Sequence, residues 1–225
     1  PLRYLQTGYL EQYLPKCRQL AEEQSNQKEK FAICSGIEIG IQSHLVDRLN
    51  EMVSKYQFDF VIGSSHMSHN CGFSEEGFFE GKTEDEAYEE YFNCVLEHVR
   101  VFNNFDVYGH LDYVVRYGPN KNRYYSYKKF AEPIDEILRA LINKGKGIEI
   151  NTAGFRKELG CPNPAVDVLK RYRELGGEII TIGSDGHFPE HVAYCFEKVP
   201  DILRLAGFKY FTVFKERKPE FFPLL

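Results

Sequence analysis

A chain of 225 residues with 15 Tyr, 18 Phe, no Trp and a net charge of −5 is long enough to bury a substantial core and has the balance of a globular protein. The charge and the lack of a long basic run speak against a general nucleic-acid binder; the densest basic stretch, Lys121 to Lys129, is broken by tyrosines and reads as a solvated loop and helix start. No apolar run has the length of a membrane span, no signal peptide is visible, and six cysteines without a C-x-x-C read as reduced thiols, so a cytoplasmic protein with no membrane partner is expected.

Residues 1–30 read as a helical lead-in, with Leu10, Tyr13, Leu14, Cys17, Leu20 and Ala21 on one face and Pro15 weakening its start. Residues 31–40 read as a strand with a single charge, Glu38. A helix follows, with Leu45, Leu49, Met52, Val53 and Tyr56 on one face. Residues 58–66 form the next strand, ending in His66. After a loop, Thr83-Glu84-Asp85-Glu86 spells a capping box. It opens a long helix with Ala87, Tyr88, Tyr91, Val95, Leu96, Val99 and Phe102 inward. Residues 106–112 are a third strand end. A tyrosine-rich loop then leads to a helix carrying Phe130, Ile134, Ile137, Leu138, Leu141 and Ile142, closed by Gly145 and Gly147. Residues 147–152 are a fourth strand. Asn163-Pro164 predicts a helix start with Asn as N-cap and Pro at the first position, the helix running to Gly176-Gly177. The apolar run Ile179 to Ile182 is a fifth strand that stops at Gly183-Ser184-Asp185-Gly186-His187. Short helices up to Gly207 and a last short strand, 211–214, complete the chain.

Strand and helix alternate throughout, which implies parallel strands joined by crossover helices. An open doubly wound sheet and a closed barrel compete. A Rossmann reading is weak, since no G-x-G-x-x-G follows a first strand. Polar residues end nearly every strand, as in barrels whose ligand sites collect at the C-terminal strand ends. A barrel is therefore expected, with no linker to divide residues 1–225 into two domains.

Those strand ends carry Glu38, His66, His110, Asn151, Asp185 and His187. One such histidine alone is as a rule a hydrogen-bonded structural residue. A buried carboxylate such as Glu38 is less comfortable, because without a partner it is costly. Together, from corresponding places in successive units, imidazoles and carboxylates are the ligands of Zn, Mn or Fe sites, and such sites activate water for hydrolysis. His44 and His98 lie on helices and read as structural, whereas His69 and His191 lie near the site loops. Arg116 and Arg156 each follow a strand end closely. A guanidinium fork suits phosphate oxygens, so beside a metal cluster the two suggest a phosphorylated small-molecule substrate, although each alone reads as a surface ion pair.

The segments Gly36-Ile37-Glu38, Gly63-Ser64-Ser65-His66, Gly109-His110-Leu111-Asp112, the run from Glu149 to Lys157, Gly183-Ser184-Asp185-Gly186-His187 and the tail Phe214 to Pro219 occur in an order that resembles the polymerase-and-histidinol-phosphatase (PHP) superfamily of metallophosphoesterases, its monofunctional histidinol-phosphatases in particular. The resemblance spans nearly the whole chain. It implies an α/β fold, a distorted seven-stranded (β/α) barrel with up to three divalent metals. In that reading Glu38 bridges two metals, His66 and His110 complete one of them, Asp185 binds the other and His187 belongs to a third. Glu38 and Asp185 are the catalytic carboxylates, and Arg116 and Arg156 hold phosphate. The implied reaction is hydrolysis of L-histidinol phosphate to L-histidinol and phosphate, in histidine biosynthesis.

The family also opens with a strand carrying an H-x-H pair and a second strand ending in His, and nothing here matches either. The chain reads as starting, without an initiator Met, within the helix after that second strand. The expectation is a PHP barrel domain lacking its first two β/α units, as a fragment of a longer product. Assembly with the lacking segment in trans or as an oligomer, and a degenerate relative that binds metal or phosphate without turnover, are the other readings. A metal-dependent hydrolase of amidohydrolase type is a further alternative, weakened by the lack of a suitably placed strand-end Lys.

Overall fold

A computed structural model describes residues 7–25, 32–68 and 71–224. The expected lead-in helix is α1 (Thr7–Ser25), which contains Pro15. Of its predicted apolar face only Leu14 is buried, while Tyr13 and Leu20 are 48% exposed. The helix meets the body near the end of α2, where Glu11 pairs with Lys55, and most of its described residues are exposed. The predicted strand at 31–40 is β1 (Gly36–Gly40), with Phe31 outside the described residues. The next helix is α2 (Val46–Lys55), burying Leu49 and Val53. Then come β2 (Phe60–Ser64) and a small antiparallel pair, β3 (Met67–Ser68) with β4 (Cys71–Gly72).

Helix α3 (Glu84–Val101) starts at the predicted capping box: Thr83 Oγ1 accepts the Glu86 N–H, and the Glu86 carboxylate accepts the Thr83 N–H. Its inward face and the neighbouring loops use the abundant aromatics, since Tyr88, Tyr91, Phe92, Phe73, Phe78 and Phe102 are essentially inaccessible. Strand β5 (Val107–Tyr108) is short, and α4 (Ala131–Asn143) follows the tyrosine-rich loop. Gly145 adopts a φ of 66°, the left-handed conformation that ends helices. Two of the three lysines of the basic stretch are paired at the surface, Lys121 with Glu158 and Lys129 with Asp85.

Strand β6 (Gly147–Asn151) is buried along its whole length. A single helical turn, α5 (Ala153–Arg156), precedes α6 (Val166–Glu174). Here the Asn163-Pro164 reading is corrected. The N-cap of α6 is Ala165, and the Asn163 side chain is turned inward to Arg116 and Asp112, so it is not available to cap a helix. Strand β7 (Ile180–Gly183) is the predicted fifth strand, and α7 (Val199–Leu205) lies in the region of short helices. Strand β8 (Tyr210–Lys215) is longer than predicted and pairs with an unpredicted partner, β9 (Lys218–Pro223).

The parallel strands lie in the sheet in chain order, β1-β2-β5-β6-β7. A doubly wound sheet reverses its order at a switch point; a barrel wall does not. The sheet is thus a parallel arc of distorted barrel wall, with α3, α4, α6 and α7 packed in succession outside it. The β8–β9 hairpin closes the end where the strands begin. Arg217 Nε donates to both oxygens of Asp106 at 2.8 and 2.6 Å, and the Thr212 hydroxyl accepts the Ile180 N–H at 3.3 Å. The opposite end, where the strands finish, is left for the site.

Asp135 ties α4 to α6. Its carboxylate accepts from Arg171 Nε at 2.9 Å, Arg171 Nη2 at 2.6 Å and the Tyr127 hydroxyl at 2.7 Å. The Arg171 bonds hold its carboxyl below the usual range, against the opposing effect of burial. A carboxylate depressed in the folded state stabilises above its unfolded pKa of about 3.9, and that stability is lost as pH falls through the lower folded value. Asp135→Asn is expected to cost about 2 kcal/mol at pH 7, since charge-assisted bonds contribute about 1.5–3 kcal/mol. In urea melts the gap to the parent should close as the pH drops below the usual carboxylate range. A gap independent of pH would assign the loss to packing.

Candidate metal centre

Glu38 lies in the middle of β1, in register with Ile62 of β2, and its carboxylate turns towards the C-terminal end of the sheet. His66 stands two residues beyond β2 and His110 two residues beyond β5. The three meet there. Glu38 Oε1 lies 3.0 Å from His110 Nε2 and 3.2 Å from His66 Nε2. One ligand atom from each falls within 4.8 Å of the others, the spacing of a metal-ligand set. Burial pushes the Glu38 carboxyl up, but the bonds from His110 and His66 outweigh it and hold the group well below the carboxylate range. The site therefore presents an anion and two imidazoles. His110 is almost wholly buried, and its Nδ1 has no partner among the described residues.

Tyr113 packs against both imidazoles, with ring centroids 5.0 Å from His66 and 4.8 Å from His110. It also lies beneath the Arg116 guanidinium at 5.3 Å. Arg116 brings in the other half of the site. Its side chain is 1% exposed, and Nη1 donates to Asp185 Oδ2 at 2.7 Å, Nε to Asn163 Oδ1 at 2.8 Å and Nη2 to Asn151 Oδ1 at 3.0 Å. Burial pushes the Asp185 carboxyl up, and the Arg116 guanidinium overrides that and holds it below the usual range. The Arg156 guanidinium clasps the main chain of the same turn: Nη1 donates to the Ser184 carbonyl at 3.1 Å and Nη2 to the Asp185 carbonyl at 2.9 Å.

The predicted residues thus divide into two groups. Glu38, His66 and His110 converge. Asp185, Arg116, Arg156 and Asn151 form an adjoining hydrogen-bonded cluster outside that ligand set. His187 is 75% exposed, and its Nδ1 lies 3.0 Å from the Asp185 carbonyl rather than on the Glu38 group. His191 Nδ1 accepts the His187 N–H at 3.4 Å, and His69 lies outside the described residues. His98 is structural as expected, buried on α3 with Nδ1 2.6 Å from Ser65 Oγ. His44 is exposed in a turn before α2.

Sequence reasoning passed over Glu149 and Asp112 as site groups. Asp112 is 1% exposed and accepts from Asn163 Nδ2 and the Ala165 N–H. Glu149 is 4% exposed and accepts from the His110 N–H and Asn151 Nδ2. Burial pushes both carboxyls up. Glu149 did carry a signal: Ile148-Glu149-Ile150 repeats the lone carboxylate in an apolar strand that singled out Glu38 in Ile37-Glu38-Ile39.

The fold and the site together define a parallel α/β barrel-wall protein with a carboxylate and two histidines gathered as a candidate metal centre at its C-terminal strand ends. The PHP domain family matches residues 9–153, and the chain belongs to that family. It is similar to the histidinol-phosphatase of Lactococcus lactis, 34% identical over 196 residues that cover 87% of this chain and 72% of the relative. It is also similar to a probable histidinol-phosphatase of Clostridium acetobutylicum, 30% identical over 193 residues covering 86% and 74%. The crystal structure of the Lactococcus lactis histidinol phosphate phosphatase, complexed with zinc, L-histidinol and phosphate, superimposes with a TM-score of 0.81 at 32% identity, covering 94% of this chain and 79% of that one.

Proposed function

We infer that this chain carries the catalytic domain of a metal-dependent histidinol-phosphatase, which hydrolyses L-histidinol phosphate to L-histidinol and phosphate. The observation that supports it most is the convergence of Glu38, His66 and His110 in a chain one-third identical to a protein whose structure holds zinc, histidinol and phosphate. Two imidazole nitrogens and a carboxylate oxygen are a donor set that suits zinc and leaves a coordination position open. Glu38 is held ionised, as a ligand must be. Glu38, His66 and His110 would hold the metal; their ligand chemistry suits zinc, manganese or iron, and the zinc in the relative's structure favours zinc. Such an ion supplies a Lewis acid that polarises the phosphoryl group and makes water a competent nucleophile at neutral pH.

The second cluster serves the substrate. Asp185 is fixed by Arg116, which holds its carboxyl below the usual range, and it would take a proton from water or join His187 at a further metal. Arg156 contributes positive charge beside the same turn, where phosphate oxygens would gather. Arg116 is already committed to Asp185, Asn151 and Asn163, so it would act on phosphate through its charge and not through direct bonds. Among the described residues no helix is long and apolar enough to cross a membrane, and all six cysteines are free, which fits a reducing compartment such as the cytoplasm.

The test is phosphate release from L-histidinol phosphate by the full-length protein, before and after stripping with a chelator and after returning zinc. Stripping should bring turnover to background and zinc should restore it. Turnover that survives stripping, or zinc-loaded protein that releases no phosphate, would overturn the reading.

A further inference from the structure

Glu149 is a buried carboxylate that belongs to neither the ligand set nor the phosphate cluster. Among the described residues it has no Lys or Arg partner, and an uncompensated buried carboxylate is expensive. Its placement shows what it does. A single oxygen, Oε2, accepts both the main-chain N–H of His110 and the side-chain N–H of Asn151, each at 3.0 Å. His110 has a φ of 27°, in the left-handed region that a residue with a Cβ enters at a cost and keeps only when its surroundings enforce it. That turn, just after the short strand β5, swings the imidazole towards Glu38. Asn151 in turn accepts from Arg116 Nη2 and from the Ala153 N–H. One carboxylate oxygen therefore connects the histidine of the metal centre with the arginine that fixes Asp185. The other oxygen lies against β7: a Cβ added at Gly183 would come 1.9 Å from Oε1, so any larger residue there would push the Glu149 carboxylate aside.

We propose that Glu149 is a positioning residue of the metal centre, which sets the His110 imidazole against Glu38 and holds it in register with the Arg116–Asp185 pair. Its effect on turnover rests on the phosphatase reading above; its effect on metal affinity does not. Groups that orient metal ligands typically change affinity or activity about 10–100-fold when altered.

The test crosses position against charge, with zinc affinity read by competition with a chromogenic chelator and kcat and KM read on L-histidinol phosphate. Glu149→Gln loses the charge but keeps an oxygen in reach of both N–H groups; its zinc affinity and kcat should stay within about threefold of the parent. Glu149→Asp keeps the charge but withdraws the carboxylate by one methylene. Its zinc affinity and kcat should fall about 10–100-fold with little change in KM. Gly183→Ala drives a methyl group into Oε1 without touching either donor and should weaken zinc in the same direction, which decides the matter even if Glu149→Asp does not fold. Parent-like zinc binding in both Glu149→Asp and Gly183→Ala would overturn the proposal, and so would Glu149→Gln binding as poorly as Glu149→Asp. A parent that binds zinc without hydrolysing the ester would overturn the phosphatase reading alone, and the zinc series would still judge Glu149.

Discussion

Glu38→Gln is expected to lower kcat/KM for L-histidinol phosphate by about 10³-fold, equivalent to about 4 kcal/mol of transition-state stabilisation. Glu38 Oε1 is the shared point between His66 and His110, and Glu38 is the one carboxylate of that ligand set. Glutamine fills the same volume but removes the negative charge that offsets the cation, and it can turn an N–H towards the imidazoles. The metal-free fold should hardly notice. The Glu38 side chain is 36% exposed, and an ion pair that solvent reaches contributes only about 0–1 kcal/mol, so removing its charge costs the metal-free fold little. Melting of the metal-free variant should therefore stay within about 4 °C of the parent, roughly the shift that 1 kcal/mol produces at this size. Zinc content and turnover should fall together. Unchanged turnover would remove Glu38 from the centre, and a large loss of metal-free stability would make its role structural.

What the sequence revealed depended on whether a single local rule decided each element. The capping box at Thr83 and Glu86 needs only its own few residues, and it forms as written. The five parallel strands were marked by apolar runs, and their C-terminal residues marked the site, because side-chain direction in a strand follows from position alone. The β8–β9 hairpin was not visible. Its turn residues, Glu216 and Arg217, both adopt positive φ, 51° and 64°, where hairpins ordinarily use Asn-Gly. That conformation is held from a distance, by Arg217 on Asp106 and by Asp59 accepting the Glu216 N–H. The Asn163-Pro164 pair misled for the same reason, since a good capping residue was claimed by Arg116 and Asp112, far away in sequence. Glu38, His66 and His110 could be named one by one, whereas the separation of Asp185 from them and the link through Glu149 depend on how three strand ends are joined by Arg116 and Asn151.

The second large effect is expected at Arg116, where a phosphate ligand and a structural linchpin predict different outcomes. Its guanidinium is almost wholly inaccessible and donates to Asp185, Asn163 and Asn151 together. Arg116→Met keeps the apolar bulk and removes all three bonds. Asp185, only 15% exposed, is then left as a charge without its counterion. Breaking a buried pair from one side costs about 3–5 kcal/mol. Thermal melts of the metal-free protein should show a drop on the order of 10 °C. Adding Asp185→Asn should recover part of it, because the double variant no longer buries a lone carboxylate and residues in contact are not additive. If Arg116 served phosphate alone, the single variant would raise KM and leave the melting temperature in place, and the second substitution would recover nothing. The expected pattern is the reverse for stability, with turnover lost as well because Asp185 no longer has the bond that sets its orientation. Arg116 would then act on the phosphoester chiefly by holding the carboxylate that faces it.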